Sequence, residues 1–260
     1  MQKEESRFGA STVLEGMVSI RALLSGRRDG INNRRIERFL YDRGRYAKIK
    51  KEIGYLTHEG ERQGFSVEGI DTEEFVEMTV GNTHGGLLAV CGERSLPSLC
   101  ESAAEILPNG FYVMIDGIED PYNFGYALRS MYALGVSGIV LPERNWLSAA
   151  GVVARASAGA SELFPTFVAE NAEQAHAFFR SIGYRTVAAD ADTEVSLENA
   201  RLTYPVFLLV GGEKRGLSNR LLSSVDEVVK IPYGRDFSAA LSAASAATIL
   251  AYEIARQIRF

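Results

Sequence analysis

The sequence predicts an α/β protein: a parallel-sheet C-terminal domain preceded by a smaller α/β domain. Three observations predict it. After residue 110 six segments are almost wholly apolar, FYVMID, GIVLP, LFPTFVA, YRTVAAD, PVFLLVGG and EVVKIP, as strands covered on both faces are. Helical segments separate them, the alternation that builds a parallel sheet. Before residue 95 shorter helices and strands alternate, and 260 residues leave room for two ordinary domains.

In chain order, VLEGMVSIRALLSG (Val13–Gly26) has apolar residues at helical spacing and stops at a glycine. RRIERFLYD (Arg34–Asp42) reads as a strand, and YAKIKKEIGYLTHEGERQG as an amphipathic helix ending at Gly64. FSVEGID is a short strand, TEEFVEMTV a short helix with Thr72 as expected N-cap, and GLLAVCG (Gly86–Gly92) a buried strand. Residues 93–110 contain two prolines and read as a linker with a short helix. Helices are expected at Phe124–Leu134, Leu147–Ala158, Ala172–Ile182, Asn219–Ser223 and Ala239–Ile258. The predicted division is 1–94, a linker at 95–108, and 109–260.

Composition excludes several classes. With 46% hydrophobic and 23% charged residues the chain is not wholesale disordered. No apolar run spans a membrane, and MQKEESRFG lacks a signal peptide's apolar core. Two cysteines without a CxxC, and three scattered histidines, argue against a metal site and for a reducing cytoplasm. Net charge is −5, but residues 1–51 hold 13 Lys and Arg against 6 Asp and Glu, whereas the remainder holds 15 against 27. A basic end of this kind either meets a polyanion or is a solvated arginine-rich face.

Ligands in parallel sheets bind at the strands' carboxyl ends, so the loops there matter most. DGIEDPYNFG, after FYVMID, has no G-x-G-x-x-G and gives no support for dinucleotide binding. Asn123 is the expected N-cap of the helix that follows. Arg129 is the misfit in that apolar helix: it either reaches the surface along its own stem or points into a polar cavity. GGEKRGL, after PVFLLV, has the G-x4-G spacing of a phosphate loop, but Leu217 stands where lysine is required. What remains is a tight glycine turn carrying Glu213. The last segment, SAALSAASAA, is rich in small residues that suit close packing or simple helix propensity.

Three segments in this order resemble the SpoU/TrmH family of RNA 2′-O-ribose methyltransferases, of the SPOUT superfamily. They are N-x-G-x-x-x-R (Asn123, Gly125, Arg129), G-x-E-x-x-G-L (Gly211, Glu213, Gly216, Leu217), and Ile231-Pro232 leading to a serine-rich loop and a helix ending Tyr252-Glu253. The N-terminal part resembles the L30e-like RNA-binding domain that some members carry. The resemblance implies a C-terminal trefoil knot, a homodimer, an RNA substrate (rRNA ahead of tRNA) and S-adenosylmethionine, without metal or membrane. It implies a cofactor site at Val210, Gly211, Gly212, Gly216, Ile231, Pro232 and Leu241, and catalytic roles for Arg129, Asn123, Glu213 and Ser242. The third motif departs from the family's S-L-N-V-S, reading Ala240-Leu241-Ser242-Ala243-Ala244, and Lys214 replaces a usual glycine. That departure motivates a second reading, an RNA-binding relative without turnover. A nucleotide-dependent oxidoreductase, lacking every phosphate fingerprint, is a distant third.

Overall fold

The computed structural model describes residues 12–81, 83–143, 149–212, 216–236 and 238–259. The chain divides into two compact units, Met1–Ser95 with Trp146–Leu163, and Leu96–Asn145 with Phe164–Phe260.

In the first unit, β1 (Thr12–Glu15), α1 (Gly16–Arg28), β2 (Ile36–Asp42), α2 (Tyr46–Gln63), β3 (Ser66–Ile70), α3 (Thr72–Glu77) and β4 (Leu87–Cys91) form a sheet of order β1-β4-β2-β3 with flanking helices. The helix expected from Val13 starts only at Gly16. Thr12–Glu15 instead pairs antiparallel with β4, Thr12 opposite Cys91, and Gly16 turns the chain at φ +81°. Thr72 is not the cap of α3. Its hydroxyl donates to the buried Asp42 carboxylate at 2.6 Å, which also accepts from the Gly44 amide, while Asp71 holds the N-cap position.

Residues 149–163, read from sequence as part of the second series, pack within this first unit; their helix spans Ala150–Ala156, and Leu147 and Ser148 of the expected Leu147–Ala158 helix lie outside the described residues. Electrostatics supplies one reason. Arg34 and Glu162 are both buried, 2% exposed, and Arg34 Nε donates to Glu162 at 2.9 Å. Asn32 donates to the same carboxylate, and Arg94 donates to the carbonyls of Ser161 and Ile31 at 2.8 and 2.7 Å. A buried guanidinium of this kind is stable only with its counter-charge in place.

The second unit holds β5 (Phe111–Asp116), α4 (Pro121–Ala133), β6 (Gly138–Pro142), β7 (Thr166–Ala169), α6 (Ala172–Ser181), β8 (Arg185–Ala189), β9 (Val206–Gly211), α7 (Asn219–Leu222), β10 (Glu227–Val229) and α8 (Ala243–Arg259); the Ala150–Ala156 helix of the first unit is α5. Its strands form one parallel sheet, β10-β8-β9-β5-β6-β7. On one face Tyr112, Phe167, Phe179 and Phe207 form the core, with Phe179 stacked on Phe207 at 4.1 Å between centroids. The segment read as a linker contributes Leu99 and Ile106 to that core, through two short 3-10 turns at Leu99–Glu101 and Ala103–Glu105. The last helix begins four residues later than Ala239. Ser242 sets its start, its hydroxyl accepting from the Ser245 amide at 3.2 Å and its carbonyl from Ala246 at 2.9 Å, the bonds of an N-cap. Ala239–Ser242 therefore remains a loop.

Candidate functional site

A parallel sheet brings the carboxyl ends of all its strands to one edge. The two central strands, β5 and β9, pair along their length with Asp116 opposite Gly211. Their following turns meet backbone against backbone. A Cβ on Gly212 would lie 2.4 Å from the Gly117 carbonyl oxygen, and one on Gly211 would lie 2.6 Å from the Gly216 carbonyl carbon. The Gly216 amide donates to the Gly212 carbonyl at 3.1 Å, closing the turn. Gly216 takes φ +61° and, among the described residues other than its chain neighbours, none has an atom within 4 Å of where its Cβ would stand. One side of the turn is thus packed and the other open, which lets a ligand approach the backbone closely.

Val210 is buried within β9, while Gly211 and Gly212 are half-buried. Ile231 and Pro232 follow β10, two strands from β9 in the sheet order and hence about 10 Å away at normal strand spacing. Ile231 and Leu241 are half-buried, Pro232 exposed. The Leu241 amide donates to the Tyr233 hydroxyl at 3.1 Å, so the two ends of the 233–241 loop are tied together. Ser242, expected to be catalytic, caps α8, and its hydroxyl also meets that of Ser245 at 3.0 Å. Glu213 lies outside the described residues.

Asn123 is not the N-cap of α4. Asp120 is, accepting from the amides of Tyr122 and Asn123 at 3.2 and 3.3 Å, with Pro121 in the first turn. Asn123 is half-buried in the first turn and Arg129 exposed two turns on. Six residues at 3.6 per turn put them about 120° apart around the axis, so one face of the helix does not carry both. Among the described residues no hydrogen bond or ion pair engages Arg129.

Sequence reasoning missed Asp116, which ends the central strand beside the glycine turn. Burial and then the charge of Glu173 raise its carboxyl above the ordinary value. Glu173 itself accepts from the Ser218 hydroxyl at 2.7 Å. An acid closing an apolar strand just before a glycine was the available signal. Tyr233 was missed too, and no local pattern marked it. Among the described residues no cluster of His, Cys, Asp and Glu could hold a metal ion, and no helix is long and apolar enough to cross a membrane.

The family model described as "SpoU rRNA Methylase family" matches residues 110–252. The chain belongs to this SpoU methylase family. It is 27% identical over 211 residues to YacO of Bacillus subtilis, whose name places it among TrmH family tRNA/rRNA methyltransferases; the match covers 80% of this chain and 84% of YacO. A tRNA/rRNA methyltransferase, itself uncharacterized, of Mycolicibacterium paratuberculosis is 35% identical over 199 residues, covering 75% of this chain. The match spans 64% of that relative's length and 51% of a Mycobacterium leprae relative's. Among solved structures, the AdoMet-bound rRNA methyltransferase of Sinorhizobium meliloti superposes with a TM-score of 0.78 at 23% identity, over 98% of this chain and 90% of that one. AviRb of Streptomyces viridochromogenes, a SpoU methyltransferase in complex with AdoMet, gives 0.75 at 21%, over 99% and 94%. The parallel α/β fold of the SpoU enzymes is thereby established for this chain.

Proposed function

We propose that this SpoU family member transfers a methyl group from S-adenosylmethionine to a ribose 2′-hydroxyl of structured RNA, ribosomal RNA ahead of transfer RNA. What supports the reading is the family match over 110–252, which contains every residue given a catalytic or cofactor role here. The cofactor would supply an electrophilic methyl on a sulfonium. The residues present fit it: the open side of Gly216, the close-packed Gly211 and Gly212, and the half-buried apolar side chains of Ile231 and Leu241 offer backbone groups and flat apolar surface. Val210 and Pro232 flank them. The knot implied by the resemblance would gather the segments from β9 to α8 around that ligand.

When bound, the cofactor would supply its sulfonium methyl to the 2′-oxygen in line and leave as a neutral thioether. The hydroxyl proton would pass to solvent water. Arg129 is not the base, because a guanidinium holds its proton above about pH 12. It clamps the adjacent phosphate and stabilises negative charge developing on the 2′-oxygen. Glu213 orients the glycine turn, and Asn123, on a face of α4 about 120° from Arg129, is assigned to the substrate and not to the arginine. Ser242 fixes Leu241 by capping α8. The first unit, basic in residues 12–51 and expected to be L30e-like, contacts RNA phosphates.

The active species is a homodimer. The neighbouring helices α4 and α8 expose three tyrosines and an isoleucine, Tyr122, Tyr126, Tyr252 and Ile249, apolar surface suited to self-association. The test is tritiated methyl transfer to ribosomal and transfer RNA with wild type and Arg129→Ala. Arg129→Ala is expected to lose on the order of 100-fold or more in rate while its cofactor affinity, by calorimetry, stays within about twofold. Equal incorporation by both proteins overturns the assigned role.

A further inference from the structure

The segment that leads from β10 to α8 is anchored at both ends. At its start the Lys230 amide donates to the Val195 carbonyl at 2.9 Å, and the Lys230 carbonyl accepts from the Leu197 amide at 2.8 Å. At its end Ser242 caps α8. Between them Ile231 and Leu241 are half-buried, and every described residue from Pro232 to Ala240 is exposed. Among the described residues, Ile231 to Leu241 make no backbone–backbone hydrogen bond. A stretch with neither a ladder nor buried side chains has little of its own to offset the entropy of holding one conformation.

A side-chain bond spans it. The Leu241 amide donates to the Tyr233 hydroxyl at 3.1 Å. The far end of the stretch offers no substitute for that oxygen. Ala239 and Ala240 carry no polar side-chain atom, and the Ser242 hydroxyl is engaged with the Ser245 amide and hydroxyl, at 3.2 and 3.0 Å. Burial does not account for the tyrosine either. It is 43% exposed, so its ring returns only part of the stabilisation that a covered ring would give. Phenylalanine would present the same ring without the acceptor.

We propose that Tyr233 is a positioning residue for S-adenosylmethionine: its hydroxyl, by holding the Leu241 amide, sets Ile231 and Leu241 in the arrangement that receives the cofactor. The inference rests on the cofactor reading above and deepens it. Tyr233 acts through the Leu241 backbone and takes no part in methyl transfer. When only a fraction of the molecules hold the competent arrangement, apparent affinity falls by that fraction. One hydrogen bond of this kind is worth, net, about two- to tenfold in an equilibrium. A role for the ring itself, against the cofactor or an RNA base, would survive loss of the hydroxyl, and that separates the two.

The experiment uses the full chain as wild type, Tyr233→Phe and Tyr233→Leu. S-adenosylmethionine is titrated calorimetrically, and hydrogen exchange is followed over residues 231–243. Tyr233→Phe is expected to weaken affinity by about threefold to tenfold and to speed exchange of the Leu241 amide without cofactor by a similar factor, with saturating cofactor restoring protection. Tyr233→Leu is expected to match Tyr233→Phe within about twofold. In methyl transfer to ribosomal and transfer RNA, the KM for the cofactor should rise by the same factor while kcat and the KM for RNA stay within about twofold. A merely structural loss does not give that split, because it removes active molecules and lowers apparent kcat at unchanged KM. Wild-type affinity and exchange in Tyr233→Phe overturn the inference. A loss confined to Tyr233→Leu, or to the KM for RNA, assigns the ring to ligand contact and overturns it as well. Failure of the wild type to bind the cofactor overturns this inference together with the cofactor reading.

Discussion

Gly211→Ala tests the glycine turn at the end of β9. The added Cβ would lie 2.6 Å from the Gly216 carbonyl carbon and 2.7 Å from both the Gly216 Cα and the Leu217 nitrogen. Carbon atoms rest at about 3.5–4.0 Å, so the turn must retreat from the strand by roughly 1 Å. All three neighbours are backbone, and no rotamer change relieves them. Over-packing of this kind costs about 1–3 kcal/mol, which leaves a folded protein. A displacement near 1 Å in a binding site costs on the order of 100-fold in function. The expected result is cofactor affinity, by calorimetric titration, weakened by tenfold to a hundredfold with a modest drop in urea midpoint. Gly54→Ala, in α2 of the first unit, is the control, since among the described residues nothing lies within 4 Å of its Cβ position. A folded Gly211→Ala protein that titrates within about twofold of wild type would refute the placement of the cofactor on this turn.

Three further outcomes are expected. Arg34→Met leaves Glu162 buried without its guanidinium and should cost about 3–5 kcal/mol in urea unfolding, with partial recovery when Glu162→Gln is added; a loss below about 1 kcal/mol refutes the ion pair's role. His84 and His176 are held below their ordinary pKa of 6.5, by burial first and then by Arg45 and Arg180 respectively. The unfolded imidazoles take up protons near that value, the folded ones at lower pH. Stability should therefore fall as pH drops below about 6.5, by at most about 1.4 kcal/mol per pH unit for each histidine, and equal urea midpoints at about pH 7.5 and 5.5 would contradict this. Tyr252→Arg, at a residue 57% exposed on α8, should shift the light-scattering mass from dimer to monomer, and a monomeric wild type would remove the dimer reading.

The six strands of the parallel sheet, and the glycine turn after β9, were legible because their residues repeat a local rule: short, mostly apolar runs, closed by glycine after β5 and at the end of β9. The cap of α4 was misplaced by three residues, because Asn123 and Asp120 are both good capping types. Asp120 holds the position since Pro121 suits the first turn and Asp120 reaches the two free amides. The start of α8 was misplaced for a related reason. Alanine favours helix from Ala239 onward, yet Ser242 caps and the loop before it is tied by Tyr233.

By itself the sequence determined the class of fold, the order of the elements and the segments that carry the three motifs. Only the tertiary structure decided that Thr12–Glu15 is a strand, that 149–163 packs with the first unit, and that Arg27, Tyr55 and Arg62 line one groove. Each of these depends on partners far along the chain, β4 for the strand and the buried Arg34 for Glu162. Local periodicity records which face a residue buries, whereas the choice of partner is made by long-range pairing and by the need to satisfy buried charge.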